Sequence, residues 1–331
     1  MTTRTGFQVL TEDRLDWNSL PLRLLTKGNR KFWNPADLDF ERDAADWARL
    51  PETYRRALTF QVAMFVAGEE AVATDIHPLA RAIAAEGRLG DTLYLTQFAF
   101  EEARHTEVFC RWLSAVGLTE DLHEYVADNP GYREIFYRRL PAALHALDSD
   151  PSPANQVVAS VIYNHVVEGT LALTGYFSFG VFCRSLDILP GMGELIRLIG
   201  EDERRHMAWG TYTCRRLVTA DRANWATAEQ TFAELRPVAM SALDWVFDQM
   251  GGTPFRFGRR ITKQFARACA DRRLRAIESA VRGNDTPTES GSLSPEELEE
   301  RHAEEDAEAA SRAERLLGVA TMSPTRDGDG S

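Results

Sequence analysis

Two short stretches carry a metal-binding pattern. The chain reads EEARH at 101–105 and DERRH at 202–206, so Glu102 is followed three places on by His105, and Glu203 by His206. A helix turns about 100° per residue, which puts each Glu and its His on one face, where they can ligate a metal together. One such pair is weak evidence, because Glu and His are common on helix surfaces. Two pairs on different helices, in a chain with seven histidines, are much stronger. A bundle holding two metals also needs a single Glu from each of two further helices. Upstream of Glu102 stands Glu69 or Glu70 in FVAGEEAV, and upstream of Glu203 stands Glu168 in NHVVEGTLAL. The intervals are alike, 33 residues from Glu69 to Glu102 and 35 from Glu168 to Glu203, so the chain repeats one pattern twice.

Glu168 lies in the mostly apolar SVIYNHVVEGTLALTG, where an unpaired carboxylate is costly and a cation between helices would be its partner. Four carboxylates and two imidazoles suit two divalent first-row metals with open positions for dioxygen or substrate. Spacing alone leaves choices open. Glu101 lies four before His105 and could face the same way as Glu102, and Glu70 competes with Glu69. His165, three before Glu168, reads as a hydrogen-bonded core histidine, and His77 as structural. His123, His145 and His302 sit in polar or loop-like surroundings and carry no signal.

The elements that must hold these residues are long helices. Apolar residues recur with 3.6-residue spacing over about 52–84, where Leu58, Val62, Phe65 and Val66 share a face, and over 90–116, 153–182, 190–219 and 222–250. Gly117, Asp128-Asn129-Pro130-Gly131, Pro151-Ser152-Pro153 and Pro190-Gly191 punctuate them. Residues 1–282 read as one helical domain. The polar linker 283–295 follows, then a charged helix over about 295–317, N-capped by Ser294 with Pro295 and Glu297, solvated or loosely docked. The last residues, SPTRDGDGS, read as disordered. The net charge of -12 disfavours nucleic acid and anionic lipid as partners. No signal peptide and no charge-free apolar run of bilayer length stand out. The widely spaced Cys110, Cys183, Cys214 and Cys269 read as reduced thiols, which points to the cytoplasm.

These motifs resemble the ferritin-like superfamily, specifically its ribonucleotide reductase small-subunit-like group, and within that the ligand-binding oxidase branch, which carries a manganese/iron centre. KFWNPADLDFERD at 31–43 looks like the group's segment ahead of the first ligand helix, and AGEEAV, YLTQFAFEEARH, YNHVVEG and GEDERRHMAWGT fit the branch over about residues 14–280. The resemblance implies an all-α fold with a ferritin-like four-helix-bundle core and extra helices. It implies that Glu69, Glu102 and His105 bind one metal and Glu168, Glu203 and His206 the other, with carboxylates bridging. Asp202 falls where the group orients the first histidine, and Trp33 where it has a tryptophan linked to that Asp.

The resemblance also implies a dioxygen-activating oxidase that binds a long-chain fatty acid by its carboxylate, forms a homodimer, and joins Tyr163 to Val72 through an ether. TGYFSFGVF at 174–182 could line the fatty-acid tunnel. Phe109 stands one turn after His105, where radical-storing reductase subunits carry Tyr, and no aromatic residue follows Phe265 to relay a radical. Alternatives are a manganese/iron reductase subunit, which shares the ligands, an acyl desaturase, which resembles the two Glu-x-x-His motifs, or a non-catalytic ferritin-like iron-binding protein, which shares the bundle. The set of ligands leaves two irons possible as well.

Overall fold

The computed structural model describes residues 6–12, 14–250, 255–281 and 293–322, and among these no strand occurs. Helices α1 (Leu20–Arg30) and α2 (Glu41–Arg49) precede α3 (Glu52–Asp75), α4 (His77–Ala85) and α5 (Leu89–Val116). Then come α6 (Pro130–Tyr132), a π-helical stretch Arg133–Arg139, α7 (Leu140–Ser149) and α8 (Pro153–Ser160). A second π-helical segment, Val161–Ala172, joins α8 to α9 (Leu173–Leu186), and the three form one continuous rod. α10 (Pro190–Ala220), α11 (Ala223–Met250), α12 (Phe255–Glu278) and α13 (Pro295–Met322) complete the described chain. The fold is the expected all-α, ferritin-like one. α3 packs along α5, α10 packs along the rod, and the other helices wrap this four-helix core.

The periodic residues behave as amphipathic packing requires: Leu58, Val62 and Phe65 are buried, while Val66 is half-buried. The expected helix over 52–84 breaks at Ile76, because Pro78 has no N–H to return to the preceding turn. α5 ends as expected at Gly117, whose φ of 72° suits glycine, with Leu118 N–H on the Leu113 carbonyl at 3.0 Å. The turn expected at 128–131 is instead a helix start, since the Asn129 side chain accepts from Tyr132 N–H at 3.0 Å.

The central rod and the C-terminal helix fare differently. The rod Pro153–Leu186 is long and apolar enough to cross a bilayer by length and composition, yet 72% of its most apolar window is buried inside the bundle. That is how the central helix of a large core reads. α13 does begin with the expected cap, Ser294 and Glu297 exchanging hydrogen bonds at 2.8 and 3.2 Å. It is not loosely held, however, for Glu299 and His302 are buried against α12. The linker lies mostly, and the last nine residues wholly, outside the described residues.

One buried carboxylate fixes where α10 starts. Asp43 of α2 accepts from the Gly191 and Met192 backbone N–H groups, both at 2.7 Å, and from the Trp112 indole of α5 at 2.8 Å. It thus caps the helix that carries Asp202, Glu203 and His206 while tying it to the helix that carries Glu102 and His105. A Cβ on Gly191 would meet the Asp39 carbonyl at 2.7 Å, so this approach needs glycine. Asp43→Ala strands three buried donors, and denaturant unfolding is expected to show a loss of about 2–4 kcal/mol. A loss no larger than that of an exposed acid such as Glu41→Ala would refute the capping role.

Candidate metal centre

The six residues of the repeated pattern converge. Glu69 comes from α3, Glu102 and His105 from α5, Glu168 from the π-helical segment, and Glu203 and His206 from α10. Potential ligand atoms of Glu69, Glu102, His105 and Glu203 lie within 4.8 Å of one another, as do those of Glu102, Glu168, Glu203 and His206. Glu102 and Glu203 belong to both groups, so each can span two ions.

The two halves mirror each other. His105 Nδ1 is 3.4 Å from both Glu69 and Glu102 and 3.6 Å from Glu203. His206 Nδ1 is 3.3, 3.4 and 3.5 Å from Glu102, Glu168 and Glu203. All six residues are buried. Both Nδ1 atoms, Glu102 Oε2, Glu168 Oε1 and Glu203 Oε2 are enclosed without a hydrogen-bond partner. Orphaned polar atoms at this density, all on nitrogen and carboxylate donors, are what a pair of divalent cations would satisfy. The group is able to hold a dimetal site.

The far side of each imidazole is also held. His105 Nε2 meets Asp202 at 3.2 Å, and Asp202 in turn accepts from the Trp33 indole at 2.9 Å and from Arg104 at 3.0 Å. His206 Nε2 meets Glu101 at 3.0 Å. Glu101, left open by spacing, therefore turns away from the shared centre and orients the opposite histidine. A signal was present in the sequence: Glu101 precedes its Glu-x-x-His just as Asp202 precedes the other. Arg205 donates to both acids, to Glu101 at 2.7 Å and to Asp202 at 2.5 Å. Glu70 is exposed, which leaves Glu69 as the inward residue.

Three further polar contacts were not foreseen. Tyr176 donates to Glu69 at 3.0 Å, Asn164 to Glu168 at 3.0 Å, and Tyr163 to Glu102 at 3.1 Å. Tyr163 Oη also lies 3.3 Å from the Val72 carbonyl. In an α-helix, residues five apart point about 140° away from each other. The i→i+5 bonding of the Val161–Ala172 segment lets Tyr163 and Glu168 serve one centre. His165 is buried outside the two groups, its imidazole pushed down to about 3 by burial and by Arg273. His77, His123 and His145 take no part. His302 is not in a polar loop but buried, accepting from Arg273 at 3.1 Å.

Electrostatics follow from burial. Burial pushes the Glu69 carboxyl up to about 7 against the pull of His105. Burial opposes ionisation of Glu102 too, but the neighbouring imidazoles of His105 and His206 outweigh it and bring that carboxyl down to about 2. Burial and the neighbouring Glu203 hold Glu168 well above the ordinary carboxylate range. Burial likewise works against charging the imidazoles, yet the surrounding carboxylates, Asp202 first for His105 and Glu101 first for His206, raise both well above normal. Without cations the centre therefore stores protons.

Residues 22–281 match the sequence model of the ribonucleotide reductase small chain. The chain belongs to that family. Among solved structures it is similar to an R2-like ligand-binding oxidase with an aerobically reconstituted Mn/Fe cofactor, at 34% identity and a TM-score of 0.79, over 83% of this chain and 98% of that one. It is also similar to the R2-like ligand-binding oxidase from Sulfolobus acidocaldarius, at 36% identity and a TM-score of 0.76, over 89% of this chain and 98% of that one. The family and these relatives are oxidoreductases, and the buried cluster stands where a member of such a family needs a dimetal site.

Metal uptake by this centre must displace its protons. The raised imidazoles are charged below their shifted values, so apparent metal affinity is expected to rise with pH, up to about tenfold per unit for each proton displaced. Calorimetric titration with Mn(II) in two buffers of different ionisation enthalpy reads the proton count. Buffer-independent heats would contradict the stored charge.

Proposed function

We propose that this protein is a dioxygen-activating dimetal oxidase with manganese and iron at its centre. Glu69, Glu102 and His105 would hold one ion and Glu168, Glu203 and His206 the other, Glu102 and Glu203 being within reach of both groups. The observation that carries this reading is the pair of buried groups sharing two carboxylates, with enclosed, unpartnered ligand atoms on Glu102, His105, Glu168, Glu203 and His206. Asp202 and Glu101 fix the histidine tautomers, and Trp33 fixes Asp202. A bound manganese/iron pair supplies reductive activation of dioxygen.

The substrate side is a mostly apolar pocket whose lining includes Glu69, Glu168 and Glu203. Its walls include Phe65, Val72, Phe136, Val167, Leu171 and Leu243. A carboxylate at the metals with an alkyl chain along these walls fits that distribution, which favours a long-chain fatty acid as ligand. Gly175 and Tyr176 from the 174–182 stretch line it, whereas Phe177, Val181 and Phe182 line a different pocket. A homodimer accords with this reading and rests on the family resemblance, and a cytoplasmic setting rests on the four free cysteines.

Val72 and Tyr163 are where two-electron oxidation would leave a mark. Both are buried, Val72 lines the pocket, and Tyr163 Oη sits beside the Val72 backbone with its proton directed at Glu102. Glu102, held ionised by the two imidazoles, is placed to take the phenolic proton. Closing an ether between Tyr163 Oη and Val72 Cβ removes one hydrogen from each, and these two protons and two electrons go to dioxygen.

A manganese/iron reductase subunit remains the second reading. The family match and the Trp33–Asp202–His105 chain favour it, and buried Phe109 rules out a tyrosyl radical at that position. One experiment separates them. Metal-free protein is given Mn(II), Fe(II) and then air, and its peptides are weighed. The Val72 and Tyr163 peptides are expected to appear joined and lacking two hydrogens, and Tyr163→Phe abolishes the joined species. Separate peptides in a protein with both metals bound would count against the oxidase.

A further inference from the structure

α13 lies beyond the residues 22–281 that match the family, yet it docks as an acidic helix in a trough of cations from four other helices. Arg23 and Lys27 of α1 meet Glu296 and Glu300, and Arg184 of α9 meets Glu314 at 2.7 Å. Arg204 of α10 faces Asp306 at 3.9 Å, and Arg272 of α12 donates to Glu305 at 3.1 Å and Asp306 at 2.6 Å. Most of these pairs are at least partly exposed and individually weak.

One is different. Arg273 has no exposed surface, and its guanidinium clasps Glu299 through both nitrogens while also donating to His302. Removing one partner of such a buried pair leaves a charge that burial strongly disfavours. The other end of Arg273 matters as much. Its Cγ and Cδ lie against Gly169, close enough that a Cβ there would meet them at 3.1 and 2.7 Å. Gly169 is the residue after Glu168, within the π-helical segment, and the same space is closed by the Asn164 carbonyl at 2.9 Å. Asn164 is the residue whose amide holds the Glu168 carboxylate. A continuous set of contacts therefore runs from α13 through Arg273 to the back of the segment that presents Glu168.

We propose that α13 is a strap that positions Glu168, with Glu299 and Arg273 as positioning residues. Glu299 fixes Arg273, and the Arg273 stem buttresses the π-helical segment at Gly169. Docking of α13 and metal binding on the Glu168–His206 side are then coupled, and the coupling acts in both directions. This rests on the reading of Glu168 as a metal ligand given above.

The test is hydrogen–deuterium exchange on the full chain, with and without Mn(II), paired with the Mn(II) EPR spectrum and a titration of both binding sites. In the unaltered protein, Mn(II) is expected to slow exchange in peptides covering 296–310 as well as in the ligand helices. Glu299→Gln is expected to speed exchange over 161–172 in the metal-free protein. It is also expected to weaken one of the two Mn(II) sites about 10–100-fold and change its EPR spectrum, while the α3 and α5 peptides keep their protection. Glu300→Gln, which loosens only the exposed contact to Lys27, leaves all of these unchanged. Should Glu299→Gln not fold, Glu299→Asp keeps the charge with a shorter reach and gives the same changes at smaller amplitude.

The proposal is overturned if 296–310 exchanges freely in the Glu299 variant while 161–172, both affinities and the spectrum stay as they were. Failure of the unaltered protein to bind two ions at all would instead strike the ligand assignment.

Discussion

Four carboxylates are forced together out of water at the middle of this bundle, and the rest of the molecule is arranged around that repulsion. Glu69, Glu102, Glu168 and Glu203 approach two imidazoles within a few ångströms and have almost no solvent to spread their charge. Left to themselves they resolve it by holding protons, which is why Glu69 and Glu168 are pushed up while the imidazoles stay charged. Cations resolve it better, since they satisfy the orphaned donors as well as the charge. The apolar packing then has a defined task, which is to keep four helices from sliding apart under a load that packing did not create. Phe98 stacked on His206 at 3.5 Å, and Phe65 against Tyr176, carry that packing up to the ligands themselves.

The clamps are crossed. The acid ahead of each Glu-x-x-His grips the histidine of the other motif, Asp202 on His105 and Glu101 on His206, so α5 and α10 are tied twice at the same level. A register shift of one helix would break both at once, which makes the orientation of the imidazoles a property of the bundle and not of either helix alone. The two clamps are not equal. Asp202 shares its charge with Trp33, Arg104 and Arg205, whereas Glu101 accepts a hydrogen bond from Arg205 and lies 3.6 Å from Arg104. A less neutralised partner makes its histidine the more basic ligand. This difference between the two halves comes from outside the ligand set.

How much of this could be read from the chain alone follows from how local each feature is. Glu102 with His105, and Glu203 with His206, are legible because helical spacing fixes which residues share a face. Glu69 against Glu70, and Glu101 against Glu102, were not separable by spacing, since neighbours in a helix differ only by rotation and the bundle decides which one turns inward. α13 reads as solvated or loosely docked for a related reason. Glu299 and His302 look like part of a charged face in sequence, and only the meeting with α12, across a linker, shows that they are buried against Arg273. The break at Ile76 was legible in principle from Pro78, whose missing donor was available to be weighed.

The π-helical segment is the feature that no periodicity could have announced, and it is the one that brings Tyr163 and Glu168 to a single centre. A regular α-helix through Val161–Ala172 would place Tyr163 and Glu168 on diverging faces, giving either the phenol or the carboxylate to the centre but not both. The widened turn brings both inward, and the segment then needs support from behind, because π geometry is rare in isolation and persists where tertiary contacts hold it. Asn164 braces the carboxylate from within the segment, and Arg273 fills the gap that Gly169 leaves open. Glycine is therefore required beside Glu168 not for a turn but for room, and that room is taken by the stem of Arg273, whose guanidinium pairs with buried Glu299 of α13. The segment that presents Tyr163 and Glu168 is thus also the point at which the core of the molecule meets its extension.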